Sequence, residues 1–221
     1  EIRKLECKKI NVYKNSTVIS NGIDVNSVKP RKNLKLKDHL NIIFVASVFS
    51  VWQGLDRLLN GLLKYEGTIK VNLKLVGQVP PLYNSLIGIL KQRKNISIHL
   101  KDYVEPKDLH QEYSKQHVGI GTLAQFRTKM YQSCPLKVRE YVAMGLPFIY
   151  AYDDPDLKGD EFFAKKIPSN NEPIDLYEVI EFYKTVEKTD NYEDVMRQFA
   201  KENLDWGRKL ENLYKFIYQQ N

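Results

Sequence analysis

Residues 41–46, with the sequence NIIFVA, form a continuous apolar run of the kind that is buried on both faces of a parallel β-sheet. Leucines then recur at the i, i+3, i+4, i+7 and i+8 positions of a helix: Leu55, Leu58, Leu59, Leu62 and Leu63. A buried strand followed at once by an amphipathic helix predicts the first strand–helix unit of an α/β fold.

The same alternation continues along the chain. Further strands are predicted at residues 71–76, 96–100, 117–121 and 148–151, and helices at 82–90, 106–113 and 136–144. The helix predicted at 82–90 carries the apolar stripe Leu82, Leu86, Ile89 and Leu90. Three further apolar stripes between Leu176 and Ile217 predict three consecutive helices, which we expect to cover one side of the sheet. Right-handed crossovers then give an α/β fold with a doubly wound parallel sheet and C-terminal helices.

The composition fits one large domain, or at most two small ones, with a hydrophobic core, because 43% of the 221 residues are apolar and 28% are charged. A net charge of +7 favours anionic partners but does not choose among nucleic acid, membrane surfaces and phosphorylated small molecules. No apolar stretch approaches the ~20 residues of a membrane span. Cys7 and Cys134 lie far apart in the sequence, which supports neither a disulfide framework nor a zinc site and favours a reducing, cytoplasmic setting.

Several common functional patterns are absent from the sequence. It has no G-x-G-x-x-G, no P-loop and no G-x-S-x-G, so it lacks the usual signs of a dinucleotide-binding enzyme, a P-loop NTPase or a serine hydrolase. The four histidines lack the spacing of metal ligands, and we predict no metal site. Because the basic residues do not cluster on one predicted helix and no reader motif is present, we predict no nucleic-acid partner.

Ligands of doubly wound sheets bind beyond the carboxyl ends of the strands. The candidate loops are therefore residues 47–54, 77–81, 101–105 and 121–135. Gly77 ends the second predicted strand and could let a ligand approach closely, although a glycine at that point is more often part of a turn.

The loop at 121–135 is the most informative, because it leads into the helix predicted at 136–144. Pro135 suits the first turn of that helix, where unpaired N–H groups and the helix dipole attract anions. Lys137 adds positive charge there, and Glu140 can accept hydrogen bonds from hydroxyls such as those of a ribose. The alternative interpretation is that Arg139 and Glu140 are surface charges on an ordinary helix.

Four stretches occur in order along the chain: VISNGID at 18–24, IFVA at 43–46 with WQGLDRLL at 52–59, LKLVG at 73–77, and CPLKVREYVAMGLP at 134–147. Together they resemble the C-terminal, donor-binding domain of GT-B glycosyltransferases of retaining family 4 (glycosyl transferases group 1). The form PLKVREY, with FR at 126–127, is similar to bacterial polysaccharide-assembly members. We therefore interpret residues 18–221 as a nucleotide-sugar-binding, Rossmann-like domain and 1–17 as a linker or the tail of a preceding N-terminal domain.

The resemblance implies a retaining glycosyltransferase that moves a sugar from a nucleotide diphosphate sugar to a glycan or lipid-linked acceptor in surface polysaccharide synthesis. It implies no metal and no cofactor besides the donor substrate. The acceptor-binding domain of the family would precede residue 18, so we expect the isolated chain to bind donor without transferring it. The resemblance places the enzyme in the cytoplasm and allows peripheral association of the whole enzyme with the inner face of the membrane.

The resemblance also assigns roles to individual residues. The family has two glutamates in a paired acid motif, of which the second contacts the nucleotide ribose and the first contacts the donor sugar. Glu140 matches the second glutamate, whereas Gln132 stands in place of the first. An amide can still hold sugar hydroxyls, but it adds no negative charge near the diphosphate.

A second departure concerns the diphosphate contacts. Gln53 replaces a family lysine, and residues 47–51 lack the basic residue expected there, so Arg127, Lys129 and Lys137 would neutralise the diphosphate with the helix N-terminus. We expect Gln132, Lys137 and Arg127 to be the catalytic residues. The expected nucleotide-sugar contacts are Ser47, Gln53, Gly54, Gly77, Gln78, Tyr103, Pro135, Leu136 and Glu140.

Two other functions stay open. A nucleotide-sugar 2-epimerase of the same fold would keep the nucleotide site and epimerise the donor without an acceptor. A non-catalytic module that binds sugar nucleotides is the other alternative, and Gln132, Gln53 and the net charge of +7 motivate it.

Overall fold

The computed structural model of the protein describes residues 17–32 and 34–218, so the expected tail at 1–17 lies almost wholly outside the described residues. Its strands are β1 (His39–Val48), β2 (Lys70–Gln78), β3 (Ile96–Lys101), β4 (Val118–Ile120), β5 (Phe148–Tyr150) and β6 (Ala164–Lys166). They form one parallel sheet with the order β3-β2-β1-β4-β5-β6. The predicted α/β fold is confirmed, and the edge strand β6, which the sequence analysis did not predict, extends the sheet.

The α-helices of the described ranges are α1 (Leu55–Lys64), α2 (Asn84–Lys91), α3 (Leu109–Tyr113), α4 (Leu136–Met144), α5 (Leu176–Val186), α6 (Tyr192–Asn203) and α7 (Trp206–Tyr218). The bounds of α4 agree with the predicted helix, which ends at Gly145 with a left-handed φ of +83°. None of these helices combines the length and the apolar character that crossing a bilayer would need.

The sheet separates two hydrophobic cores. Alternation along β1 sends Leu40, Ile42 and Phe44 into the first core and Ile43 into the second. Helices α1 and α2 close the first core, and α4 closes the second. Both faces of the central strands are therefore buried, as the apolar run at 41–46 predicts.

The C-terminal helices do not all lie on one side of the sheet, so that expectation was wrong. Helix α5 contributes Leu176, Val179 and Ile180 to the first core, whereas α6 contributes Met196 and Ala200 to the second. An apolar stripe identifies the face that a helix buries, but it does not tell which layer the helix joins.

The stripe predicted for the second helix was also partly wrong. Leu82 lies in the 3-10 turn Pro81–Tyr83 before α2 and is 69% exposed, and Ile89 is 50% exposed. The buried side chains of α2 are Ile87 and Leu90. The tighter 3-10 turn changes the phase of the helix, so a stripe counted from Leu82 follows the wrong face.

Gly77 is required by the pairing of β1 with β2. Val45 pairs with Val76 and Val48 with Gln78, so β1 carries one extra residue in a β-bulge. A Cβ at position 77 would lie 1.6 Å from the carbonyl oxygen of Ala46, and φ of Gly77 is +118°. This contact supports the structural interpretation of Gly77 over close approach of a ligand.

We predict that Gly77→Ala lowers the free energy of unfolding by at least ~2 kcal/mol, because it combines a backbone clash with a disfavoured φ. Gly88→Ala is the matched control: Gly88 lies within α2, and a Cβ there would meet nothing within 4 Å. It should raise stability by ~0.5–1 kcal/mol. Urea unfolding of both variants tests this, and equal stability of Gly77→Ala and the native chain would contradict it.

Candidate functional site

The strand order reverses between β1 and β4, which lie side by side although β2 and β3 intervene in the sequence. Loops that follow such neighbouring strands diverge and leave a crevice at the carboxyl edge of the sheet. Here backbone hydrogen bonds join the two loops: Leu123 N donates to Gln53 O at 3.0 Å, and Ala124 N donates to Trp52 O at 3.2 Å. Gly54, with φ of +76°, lets them approach, because a Cβ there would lie 2.8 Å from Cβ of Leu123. These bonds hold the two loops together at the carboxyl edge of the sheet, where the crevice is expected.

Lys137 reaches from α4 to the end of β1. Its Nζ donates to the carbonyl oxygen of Val45 at 3.0 Å and to Oε1 of Gln53 at 3.2 Å. The ammonium also lies 4.7 Å from the centre of the Phe44 ring. No carboxylate of the described residues pairs with it, and burial lowers the pKa of Lys137 from its ordinary 10.5 to about 7.

The first turn of α4 presents backbone donors beside this lysine. Pro135 is the N-cap residue and offers no side-chain capping bond. Val138 N and Arg139 N bond to the Pro135 carbonyl, whereas the N–H groups of Leu136 and Lys137 have no partner among the described residues. Unpaired N–H groups at a helix N-terminus, next to an unpaired cation, form an arrangement suited to an anion.

Glu140 lies one turn further along α4 and is partly buried. Its Oε2 accepts a hydrogen bond of 3.0 Å from the hydroxyl of Tyr113, which holds the carboxylate in place. Burial raises the pKa of Glu140 above its usual range. Its Oε1 has no hydrogen-bond donor among the described residues, so that oxygen can accept a bond from a ligand.

The hydrogen bonds of Arg127 do not match the role expected for it, which was to neutralise a diphosphate. All five of its N–H donors are engaged: two bonds of 2.8 Å go to the carboxylate of Asp56, two go to Oδ1 of Asn171, and one of 2.9 Å goes to the carbonyl of Val51. Arg127 thus ties the 3-10 turn Gln125–Thr128 to α1 and to the loop after β1. This arrangement leaves it without a free donor for a diphosphate.

The remaining sequence candidates are spread along the rim. Gln132 is exposed and forms an isolated parallel bridge with Asp153. Ser47 and Gln78 are exposed at the ends of β1 and β2, and Tyr103 is 67% exposed in the loop after β3. No hydrogen bond among the described residues links Ser47, Gln78 or Tyr103 to Lys137. Lys129 is likewise exposed, with a left-handed φ of +58° that ends the 3-10 turn.

Arg139 is completely buried, so its interpretation as a surface charge was wrong. Its guanidinium forms a two-bond ion pair with Asp154, at 2.6 and 2.8 Å, and a further bond with Asp156. Asp156 also accepts bonds of 2.8 Å from Ser20 and from Lys209 of α7. Two cations and two carboxylates therefore balance one another beneath α4. The sequence did not reveal these partners, because Asp154 and Asp156 lie 15 and 17 positions after Arg139.

No group of three or more His, Cys, Asp and Glu side chains that could hold a metal ion occurs in residues 17–32 and 34–218. The described part of the site offers an ammonium, backbone N–H groups and one carboxylate. These groups can bind an anion and hydroxyls.

The fold is similar to that of solved glycosyltransferase structures. A glycosyltransferase from Rickettsia africae matches with a TM-score of 0.63 at 15% identity, over 100% of this chain and 62% of that chain. The lipopolysaccharide outer core galactosyltransferase WaaB in its apo form gives 0.64 at 11% identity, over 99% and 60%. Anabaena Alr3699/HepE in complex with UDP gives 0.64 at 14% identity, over 92% and 57%.

The chain thus spans about three fifths of the length of these proteins. At such identities the likeness establishes a common fold, a Rossmann-like α/β domain that matches GT-B glycosyltransferases. No protein-family model and no curated protein matches the chain.

We predict a pH-dependent stability that Lys137 causes. The unfolded chain holds the Lys137 proton up to about pH 10.5, whereas the folded chain loses it near pH 7. Since the unfolded state binds more protons between these values, the Lys137 contribution to the free energy of unfolding rises with pH there. Lys137→Met removes that contribution, so the stability of the native chain minus that of the variant should increase from pH 7 to pH 10.

Lys91→Met, which removes an exposed lysine in the last turn of α2, is the control and should show no such trend. Urea unfolding at several pH values measures both differences. A difference for Lys137→Met that stays constant with pH would mean that Lys137 is fully charged in the folded chain.

Proposed function

We propose that this chain is the donor-binding domain of a glycosyltransferase and that its crevice binds the diphosphate of a nucleotide diphosphate sugar. The observation that carries the proposal is a partly buried ammonium without a carboxylate partner among the described residues, next to unpaired N–H groups at the switch point of a doubly wound sheet. The likeness to glycosyltransferase structures, one of them solved with UDP, supports the same ligand class.

The diphosphate would bind between Lys137 and the start of α4. Its negative charge replaces the neutral oxygens that now surround Nζ, and the N–H groups of Leu136 and Lys137 donate to the phosphate oxygens. Glu140 accepts from the ribose hydroxyls through its free oxygen while Tyr113 holds the other one. A single chain segment, residues 135–140, would then contact both the diphosphate and the ribose.

In transfer, these donors would act on the leaving group. As the bond between the sugar and the diphosphate breaks, negative charge grows on the departing oxygens, and a cation in a water-poor crevice stabilises that charge more strongly than it stabilises the ground state. The proposed reaction transfers the sugar with retention to a glycan or lipid-linked acceptor of surface polysaccharide synthesis. We place acceptor binding in the part of the similar glycosyltransferases that this chain does not cover, and no metal or cofactor enters the proposal.

The nucleotide site predicts that UDP or another nucleoside diphosphate stabilises the chain. A thermal-shift screen of UDP-, GDP-, ADP- and CMP-sugars identifies the base of the nucleotide that binds. A ligand at about 100 times its Kd adds ~2.7 kcal/mol of stability. Glu140→Ala should weaken binding of the best ligand by ~1–3 kcal/mol, because ribose hydroxyls lose their acceptor. Calorimetry measures this loss.

Glu202→Ala is the matched control, because Glu202 is an exposed glutamate on α6 that bonds only to Gln198 among the described residues. It should leave nucleotide affinity unchanged. Unaltered affinity in Glu140→Ala would remove Glu140 from the site, and the absence of binding by every nucleotide sugar would overturn the proposal. Epimerisation of the donor without any acceptor would instead favour the 2-epimerase.

Binding of the diphosphate should also be accompanied by proton uptake at pH 8. The empty site holds Lys137 mostly neutral at that pH, whereas a bound diphosphate raises its pKa and recharges it. Calorimetry in buffers of different ionisation enthalpy should give up to about one proton bound per site. Lys137→Met should abolish the uptake, and uptake that persists in this variant would assign the proton to another group.

A further inference from the structure

Asn21 lies in the VISNGID segment, far from α4 in sequence, yet it contacts the start of that helix. Its side-chain Nδ2 donates to the carbonyl oxygen of Cys134 at 2.8 Å, and its backbone N–H lies 3.4 Å from Sγ of the same residue. Cys134 directly precedes Pro135, the N-cap residue of α4. One exposed asparagine thus holds the turn that leads into the proposed anion site.

The backbone of Asn21 is fixed from the opposite side. Its carbonyl oxygen accepts a bond of 3.0 Å from Nε of the buried Arg139, within the same helix. Arg139 in turn is held by Asp154 and Asp156. Asn21 therefore bridges the residue before α4 and a residue within its first turns, so its position and that of the helix start are coupled.

The segment around Asn21 has little freedom of its own. Ser20 donates to Asp156 at 2.8 Å, and Ile23 forms backbone bonds of 2.9 and 3.0 Å with Leu204 and Trp206. A Cβ on Gly22 would lie 2.7 Å from the Trp206 ring. The Asn21 side chain is thus presented to Cys134 from a rigid support, as a group that positions a site must be.

We propose that Asn21 is a positioning residue of the diphosphate site, and this inference rests on the proposed function. By holding the carbonyl of Cys134, it orients the turn at Pro135 so that the N–H groups of Leu136 and Lys137 face the crevice. Asn21 touches neither the nucleoside nor the reacting atoms. Its loss should therefore weaken contacts to phosphate and leave contacts to the nucleoside intact.

The test uses Asn21→Ala in a chain whose other cysteine is replaced (Cys7→Ser), so that Cys134 is the only thiol. Asn203→Ala is the matched control, because Asn203 donates a side-chain bond of 3.0 Å to the Phe199 carbonyl on α6. Loss of the Asn21 bond should speed alkylation of Cys134 by iodoacetamide roughly two- to tenfold, as the turn opens more often. The control should not change this rate.

The second readout compares UDP with uridine, which lacks the diphosphate. Asn21→Ala should weaken UDP binding roughly three- to tenfold and change uridine binding, followed by ligand-observed NMR, by less than about twofold. A merely structural role would instead weaken both ligands equally. The selective loss of UDP affinity is therefore the result that supports positioning.

The possible failures are distinct. If the native chain binds UDP and Asn21→Ala binds it equally well, or loses uridine to the same extent, the inference on Asn21 is overturned and the proposed function stands. If the native chain binds none of UDP, GDP, ADP and the nucleotide sugars of the screen, both are overturned; if it binds a nucleotide with another base, that nucleoside diphosphate and its nucleoside replace UDP and uridine in the comparison. Unchanged alkylation of Cys134 in Asn21→Ala would overturn the view that Asn21 holds this turn.

Discussion

The reversal of strand order between β1 and β4 is the constraint on which the candidate site depends. Because β1 pairs with both β2 and β4, the loops after β1 and β4 leave neighbouring strands in different directions. Backbone bonds between Leu123 and Gln53 then join these loops at their bases, and Gly54 permits the close contact. The backbone bonds between the two loops thus set where the proposed crevice lies. Helix α4 starts close to it, since Lys137 of its first turn donates to Val45 of β1.

The two cations of α4 illustrate how the same helix can serve stability and binding. Arg139 is buried with two carboxylates, and removal of one partner from such a pair typically costs ~3–5 kcal/mol. Lys137, two residues away, is surrounded by neutral oxygens and an aromatic ring. The first arrangement pairs its cation with carboxylates within the fold, whereas the second leaves Lys137 without a carboxylate partner among the described residues.

The sequence predicted the secondary structure well where apolar periodicity was long and failed where it was short. The bounds of α4 follow from its flanking residues, since Pro135 directly precedes the helix and Gly145 directly follows it. Strand β6 has three residues, two of them lysines, and so carries no apolar alternation. Spacing along the chain also predicted that Lys137 lies in the first turn of a helix, but it could not tell that Arg127 binds Asp56, because that contact joins residues 71 positions apart.

The two departures from the family pattern have opposite charge signs. Relative to the pattern that the resemblance implies, Gln53 and the absence of a basic residue from 47–51 remove two positive charges, and Gln132 removes one negative charge, so the expected site loses one net positive charge. Lys137 donates to Oε1 of Gln53. Its ammonium therefore lies beside position 53, at which the resembled family has a lysine. At position 132 the neutral amide adds no negative charge that would oppose an anion. The positive charge of the proposed site would therefore come from Lys137 and the N–H groups at the start of α4, whichever uncharged side chains lie around them.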